Sequence, residues 1–140
     1  MGKKAGMANL GKKVDWEARR NSWCEFVNAL MKDVEAWAGR RKWPVDRQEK
    51  TVTEDHAGTY SVPELNVKVP GGYLTLEPVG CNVIGADGRV DITAFPSLDR
   101  VMLVLVGKEW RLKTDSGVPW PKLWCEETFE ELAQLLTSST

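Results

Sequence analysis

The chain has 140 residues and an almost balanced charge, with 19 Lys or Arg against 20 Asp or Glu. This length suits a single domain that buries most of its unfolded surface without disulfides or metals. No apolar run approaches the roughly 20 residues that span a bilayer. Three scattered cysteines and a single His argue against a disulfide framework and against the usual zinc sites. We therefore expect a cytoplasmic protein with reduced thiols, no cofactor and no membrane contact.

The charge is divided unevenly along the chain. Residues 1–50 carry 12 Lys or Arg against 7 Asp or Glu, a formal charge of +5, whereas residues 51–140 carry 7 against 13, a charge of −6. Such an asymmetry favours binding to an acidic partner or to a second copy of the chain. Residues 1–13 are predicted to be a flexible basic tail without the apolar core of a secretory signal, residues 14–136 a single domain, and residues 137–140 a frayed tail.

The first predicted element is a long amphipathic helix from Asp15 to Gly39. Its bulky apolar residues recur at seven-residue and intermediate spacings: Trp16, Trp23, Val27, Leu30, Val34 and Trp37. A helix drifts by only about 20° per heptad, so these side chains share one face. Cys24, Phe26 and Met31 widen that face, which favours packing on a sheet over pairing with a helix in a homodimer or forming a ligand site. Asp15 is predicted to cap the N-terminus, and Gly39 to take the left-handed conformation that ends the helix.

A basic cluster follows this helix, in which Arg40, Arg41 and Lys42 precede Trp43. Cations at the C-terminal end of a helix are favoured by its dipole, so the cluster has a purely structural explanation. Basic residues interleaved with aromatic ones are also typical of surfaces that bind single-stranded nucleic acid. The chain shows no ribonucleoprotein signature, and its net charge is slightly negative, at −1. Nucleic-acid binding is therefore an alternative and not the leading prediction.

After the basic cluster the apolar period changes from helical to twofold, which predicts a meander of antiparallel strands. The segment Gln48–Glu54 is polar on both sides and is predicted to be an edge strand. Asp87 and Gly88 together are a strong signal for a two-residue hairpin, to which Cys81–Ile84 leads. The run Val101–Val106 has no polar break, which predicts a strand buried on both faces. Helices would cover one face, and the second cover is either the proline-rich segment that follows or a dimer partner.

Trp120 lies between Pro119 and Pro121 in an extended segment that leads to Trp124. One interpretation is a strap across the sheet edge, with Trp120 and Trp124 at the margin of the core. The other is a contact with a partner, because rigid exposed Trp is enriched in interface hot spots. A second amphipathic helix then begins near Cys125 and carries apolar residues at helical spacing: Phe129, Leu132, Ala133 and Leu136.

The sequence contains no convincing catalytic constellation. Cys125 is predicted at a helix N-terminus, which lowers a thiol pKa, but Glu126 and Glu127 beside it oppose the thiolate. His56 follows Asp55 and is predicted to be a loop or strand-end residue rather than a catalytic base. No segment has the context of a hydrolase elbow or the glycine spacing of a phosphate loop. We therefore predict no catalytic, cofactor-binding or metal-binding residues.

These elements together predict an α+β fold, in which a long N-terminal helix and a short C-terminal helix pack on a mainly antiparallel sheet of five to seven strands. The function predicted from the sequence is a small intracellular protein-binding or adaptor module that binds a protein partner or itself, with a homodimer as one form. Its candidate contact residues are Trp120, Trp124, Trp43, Arg40, Arg41 and Lys42. The alternatives are nucleic-acid association through Arg40 to Trp43 and a thiol-dependent enzyme that uses Cys125.

Overall fold

A computed structural model of the chain describes residues 14–83, 85–114 and 119–137. It has the predicted α+β fold, with a long N-terminal helix, a short C-terminal helix and an antiparallel sheet between them in sequence. The elements are α1 (Trp16–Arg40), β1 (Val45–Glu54), β2 (Gly58–Val69), β3 (Gly72–Gly80), β4 (Gly88–Phe95), β5 (Arg100–Val106), β6 (Glu109–Thr114), β7 (Pro119–Leu123) and α2 (Glu126–Thr137). The predicted basic tail, residues 1–13, and residues 138–140 lie outside the described residues.

Within the described residues, the seven strands form one sheet in sequence order, and every neighbouring pair is antiparallel. This is the predicted meander, in which each strand turns back beside the one before it. β1 lies at one edge, as its polar pattern predicted, and begins at Val45, ahead of the predicted start. The proline-rich segment forms β7 at the other edge, where Pro119 and Pro121 fit because an edge strand leaves half of its amide groups unpaired.

Helix α1 begins as predicted but ends differently. The side chain of Asp15 accepts a hydrogen bond from the Ala18 amide at 3.0 Å and caps the N-terminus. The prediction for Gly39 is wrong, because this glycine is helical and the left-handed residue is Lys42, with φ of 61°. The amide of Trp43 donates to the Ala38 carbonyl at 2.9 Å and that of Lys42 to the Gly39 carbonyl at 3.0 Å, which is a Schellman ending. Packing of Trp43 against α2 overrides the local preference of the glycine.

Both helices lie on the same side of the sheet. The apolar stripe of α1 is buried, as predicted, and its fully buried residues are Trp23, Val27, Leu30, Met31, Val34 and Ala38. Helix α1 packs mainly on β2, and α2 packs on β3 and β4. Buried and exposed residues alternate along the strands, and the buried ones face the helices. Leu65 and Leu76, which lie opposite each other on neighbouring strands, are examples. The opposite face of the sheet is not covered by either helix.

Within the described chain, strand β5 is buried on one face only, so the proline-rich segment is not the predicted second cover of Val101–Val106, and cover by a dimer partner stays a prediction. Val101, Leu103 and Leu105 are buried under the helices, whereas Met102 and Val104 are only half-buried. The reason is that β7 extends the sheet at its edge instead of crossing its face. The continuous apolar run therefore places two aliphatic side chains on a face that no described segment covers.

The predicted two-residue hairpin at Asp87 and Gly88 is also wrong. Gly80 pairs with Arg89, so a longer loop joins β3 to β4, and Gly88 already belongs to β4. Gly88 lies under Trp23, and a Cβ atom at this position would be 2.1 Å from the indole ring. The Asp87 carboxylate accepts a hydrogen bond from the Gly107 amide at 2.8 Å. These two residues thus serve packing and loop anchoring rather than a tight turn.

A carboxylate anchors the β1–β2 hairpin to the end of β3. Glu54 accepts hydrogen bonds from the Tyr60 hydroxyl and from the backbone amides of Cys81 at 3.1 Å and Asn82 at 2.8 Å. A Cβ atom at Gly80 would lie 2.7 Å from the Glu54 carboxylate, so the glycine makes room for it. Burial raises the pKa of Glu54, but these hydrogen bonds lower it by more, and the net pKa is below its usual value. Burial, together with the charge of Glu54, raises the pKa of the Cys81 thiol to about 11.

We expect Glu54→Gln to lower the free energy of unfolding at pH 7 by about 1–3 kcal/mol, because the amide cannot satisfy three donors. A carboxyl whose pKa is lowered by folding stabilises the fold above its unfolded pKa, near 4.5, and loses this contribution as pH falls through the lower folded pKa. Urea denaturation between pH 7 and pH 3 should therefore show the variant losing less stability with acid than the wild type. Glu49→Gln, on an exposed position of β1, is the control. Parallel stability curves for Glu54→Gln and the wild type would contradict this role.

Candidate functional site

The predicted basic cluster joins α1 to α2. Arg40 and Arg41 pair with Glu126 at 3.1 and 2.7 Å, and Arg41 also reaches Glu130 at 3.4 Å. The hydrogen bonds that Arg41 donates to Glu126 and Glu130 raise the pKa of its guanidinium. Lys42 is exposed in the left-handed turn. Two of the three cations that nucleic-acid binding would use are therefore engaged by acids of the same chain, and that alternative stays a prediction.

The predicted contact residues Trp43 and Trp124 belong to an aromatic cluster between the two helices. The cluster consists of Trp37, Trp43, Trp124 and Phe129. The ring centroids of Trp43 and Phe129 are 5.8 Å apart, those of Trp37 and Trp124 5.8 Å, and those of Trp124 and Phe129 6.0 Å. All three tryptophans are partly buried, so the margin of the core accounts for Trp43 and Trp124. The side chain of Trp120 lies outside the described part of the structure, and its contact with a partner stays a prediction.

Cys125 and His56 lie at opposite ends of α1. Cys125 is exposed beside the C-terminal end, with its sulfur 3.3 Å from the Thr128 hydroxyl. Hydrogen bonding with the hydroxyl and the amide of Thr128 lowers the pKa of the Cys125 thiol. His56 lies in the β1–β2 turn, as predicted, and stacks on Trp16 at the helix N-terminus with centroids 5.0 Å apart. The 25 residues of α1 span about 37 Å, so these two residues do not form a Cys–His pair.

The described residues contain no group of three or more His, Cys, Asp or Glu side chains that could hold a metal ion. Neither helix in the described ranges combines the length and the apolar character needed to cross a bilayer.

The uncovered face of the sheet is the site that sequence reasoning missed. Because the strands are in antiparallel register, side chains on this face form rows that run across the sheet. We call one the Met102 row: Gln48, Glu64, Glu77, Asp91, Met102 and Lys113, from β1 to β6. Glu64 and Glu77 lie one position beyond the paired Leu65 and Leu76. The neighbouring Val104 row consists of Arg89, Val104, Arg111 and Leu123, from β4 to β7.

The charges on this face are separated into two halves. The acidic half, on β1 to β3, carries Asp46, Glu64 and Glu77 with two lysines, Lys50, which pairs with Glu77, and the exposed Lys68. The basic half, on β4 to β6, carries Arg89, Arg100, Arg111 and Lys113 with Asp91 and Glu109. Asp91 is only 8% exposed and is held by Arg89 at 2.7 Å and Arg100 at 3.7 Å. Among its described residues, the basic half therefore carries four cations against two carboxylates.

A depression lies on each half of this face. The larger, of about 390 Å³, lies in the basic half and is lined by Val83, Ala86, Arg89, Met102, Val104 and Lys113. The smaller, of about 160 Å³, lies in the acidic half and is lined by Asp46, Gln48, Glu64, Leu65, Asn66 and Thr75. The larger depression has an aliphatic floor with cations at its border. The only sequence signal for it was the run Val101–Val106, whose second cover the predicted fold left unexplained.

No protein-family model matches the chain, and no curated protein or solved structure matches it closely enough to indicate a family or a function. A function for this chain therefore rests on its own residues.

Proposed function

We propose that the chain is a protein-binding module whose recognition surface is the uncovered face of the sheet. The observation that carries the proposal is the pair Met102 and Val104, which form a half-buried aliphatic floor that no described segment covers. Leu123, at the end of the Val104 row, is 55% exposed. Apolar surface removed from water contributes roughly 25 cal/mol per Å², and contiguous exposed apolar surface is typical of interaction sites.

The chemistry of the partner follows from the border of the larger depression. Arg89, Arg111 and Lys113 surround the aliphatic floor, so a complementary surface presents apolar side chains beside carboxylates. Small-molecule sites usually enclose most of their ligand, whereas this depression is open along a sheet. An extended protein surface fits it better than a small ligand. A reducing, cytoplasmic location belongs to the same proposal and is supported by the three free cysteines.

The test uses two synthetic peptides of equal length, one alternating Leu and Glu and the other alternating Leu and Lys. We expect the Leu/Glu peptide to bind, and to perturb backbone amide NMR signals of β4 to β6. Val104→Asp should weaken this binding at least tenfold, because a carboxylate would then stand on the apolar floor. Val14→Asp is the matched control, since Val14 is 48% exposed and lies before α1.

Far-UV circular dichroism and thermal unfolding should show that both variants keep the fold. Equal binding of the two peptides would contradict the assigned charge complementarity. Undiminished binding to Val104→Asp would remove the uncovered face as the recognition surface.

A further inference from the structure

We infer that the partner on the uncovered face is a second copy of this chain, whose acidic half lies on the basic half of the first. The inference rests on the proposed function, because it names the occupant of the same surface. Complementary charges lie within one face: its described residues on β1 to β3 include three carboxylates against two lysines, whereas those on β4 to β6 include four cations against two carboxylates. A twofold axis makes every such contact occur twice.

One placement of the axis brings the two halves together. If the twofold axis runs nearly parallel to the strands and passes over β4, the strands of the second copy lie over those of the first in reverse order. Each row of one copy then lies over the same row of the other. This placement lays β6 over β2 of the second copy, and β5 over β3. In the Met102 row, Lys113 then faces Glu64 of the second copy. At the level of the Val104 row, Val104 lies opposite Gly80 of the second copy, next to the bulged Val79, which is 37% exposed.

Glu64 lacks a close cation of its own. Burial raises the pKa of Glu64, and the neighbouring charge of Glu77 raises it further, while Lys50 offsets only part of this effect. The ion pair of Lys50 is made with Glu77 instead. No ion pair between described residues includes Glu64 or Lys113. The depression of about 160 Å³ beside Glu64 leaves space for a lysine side chain that arrives from outside.

The centre of the proposed interface is compatible with close approach. Asp91 of the two copies would face each other near the axis, and so would Arg89 of the two copies, but within each copy the Arg89–Asp91 ion pair, with Arg100 beside it, offsets these charges. Seven strands spaced at about 4.8 Å give a face about 30 Å wide. With about 20 Å of strand length, the two copies would bury about 1,200 Å² in total, which is at the lower end of the range for specific complexes.

The experiment is a charge exchange followed by sedimentation equilibrium. Glu64→Lys alone places like charges at both contacts of a homodimer, and so does Lys113→Glu alone. An equimolar mixture of the two variants restores an opposite pair at both contacts, one of lysine from the first variant with glutamate from the second, and one of unaltered Lys113 with unaltered Glu64. We expect a wild-type dimer, a dissociation constant at least tenfold larger for each variant alone, and a heterodimer with nearly wild-type affinity in the mixture.

Glu25→Lys and Lys32→Glu are matched controls on the exposed side of α1 and should leave dimerisation unchanged. A monomeric wild type overturns the inference. If that monomer still binds the Leu/Glu peptide, the proposed function stands, and if it binds neither the peptide nor itself, both fail. A wild-type dimer that Glu64→Lys does not weaken, or that the mixture does not restore, uses another surface and also overturns the inference. If either charge variant fails to fold, Val104→Asp provides an independent test. A Val104→Asp chain that dimerises as tightly as the wild type would overturn the inference.

Discussion

Replacing Trp23 with Ala is expected to lower the free energy of unfolding by about 3–5 kcal/mol, as for other large truncations in a core. Trp23 is 1% exposed, packs directly on Gly88 and contacts Trp110, with ring centroids 5.8 Å apart. Its indole therefore joins α1 to both β4 and β6, and its loss leaves a cavity that neither strand can fill without moving. Urea denaturation followed by far-UV circular dichroism measures the change without depending on tryptophan fluorescence.

The close contact between Trp23 and Gly88 can be tested by a double-mutant cycle. Gly88→Ala should destabilise the wild type, because the new Cβ would lie 2.1 Å from the indole ring. The same change should cost much less in the Trp23→Ala background, where the ring is absent. Gly39→Ala is the control, since nothing lies within 4 Å of a Cβ there and Ala in a helix is favoured over Gly by roughly 0.5–1 kcal/mol. Equal costs of Gly88→Ala in both backgrounds would show that the ring does not constrain this position.

The second large effect is expected at Phe129, where Ala should lower the free energy of unfolding by about 3–5 kcal/mol. This side chain is fully buried and contacts Trp37, Trp43 and Trp124, so it holds α2 against the end of α1. Hydrogen exchange should show the amides of α2 losing protection by more than those of β3 and β4. The surface change Leu135→Ala, at a residue 60% exposed, should cost less than about 0.5 kcal/mol.

The aromatic cluster and the ion pairs of Glu126 both link α2 to α1, and a further variant separates them. Glu126→Gln removes the partner of Arg40 and Arg41 but should cost only about 0.2–1 kcal/mol, because partly exposed pairs contribute little. If Glu126→Gln were as damaging as Phe129→Ala, charge rather than aromatic packing would hold the second helix in place.

Local pattern was enough to predict the elements whose residues interact with near neighbours in the chain. The cap at Asp15, the buried stripe of α1, the edge strand β1 and the turn position of His56 all follow from spacing and residue type. The errors at Gly39 and at Asp87 with Gly88 share one cause. Gly39 was predicted to end the helix, and Asp87 with Gly88 to form a turn, from preferences that apply when nothing else contacts the residue. In the folded chain, contacts of Trp43 with Phe129 and of Trp23 with Gly88 outweigh those preferences.

The candidate site could not be predicted in the same way, because it depends on register between strands that are distant in sequence. The sequence indicated an apolar run from Val101 to Val106 but not which of its side chains would lie under a helix. Only the placement of both helices on one side leaves Met102 and Val104 uncovered.

The sequence by itself determined the α+β class and the order of the main helices and strands, since the periods 3.6 and 2 are properties of each segment alone. It also gave a basic first part and an acidic second part, but the surface does not follow that division. The basic half of the uncovered face comes entirely from residues 89–113, within the acidic part of the chain, while Asp46 of the basic part lies in the acidic half. Alternation along each strand decides on which face of the sheet a charge lies, and antiparallel register decides in which row it lies. Only the tertiary structure therefore decided which charges meet.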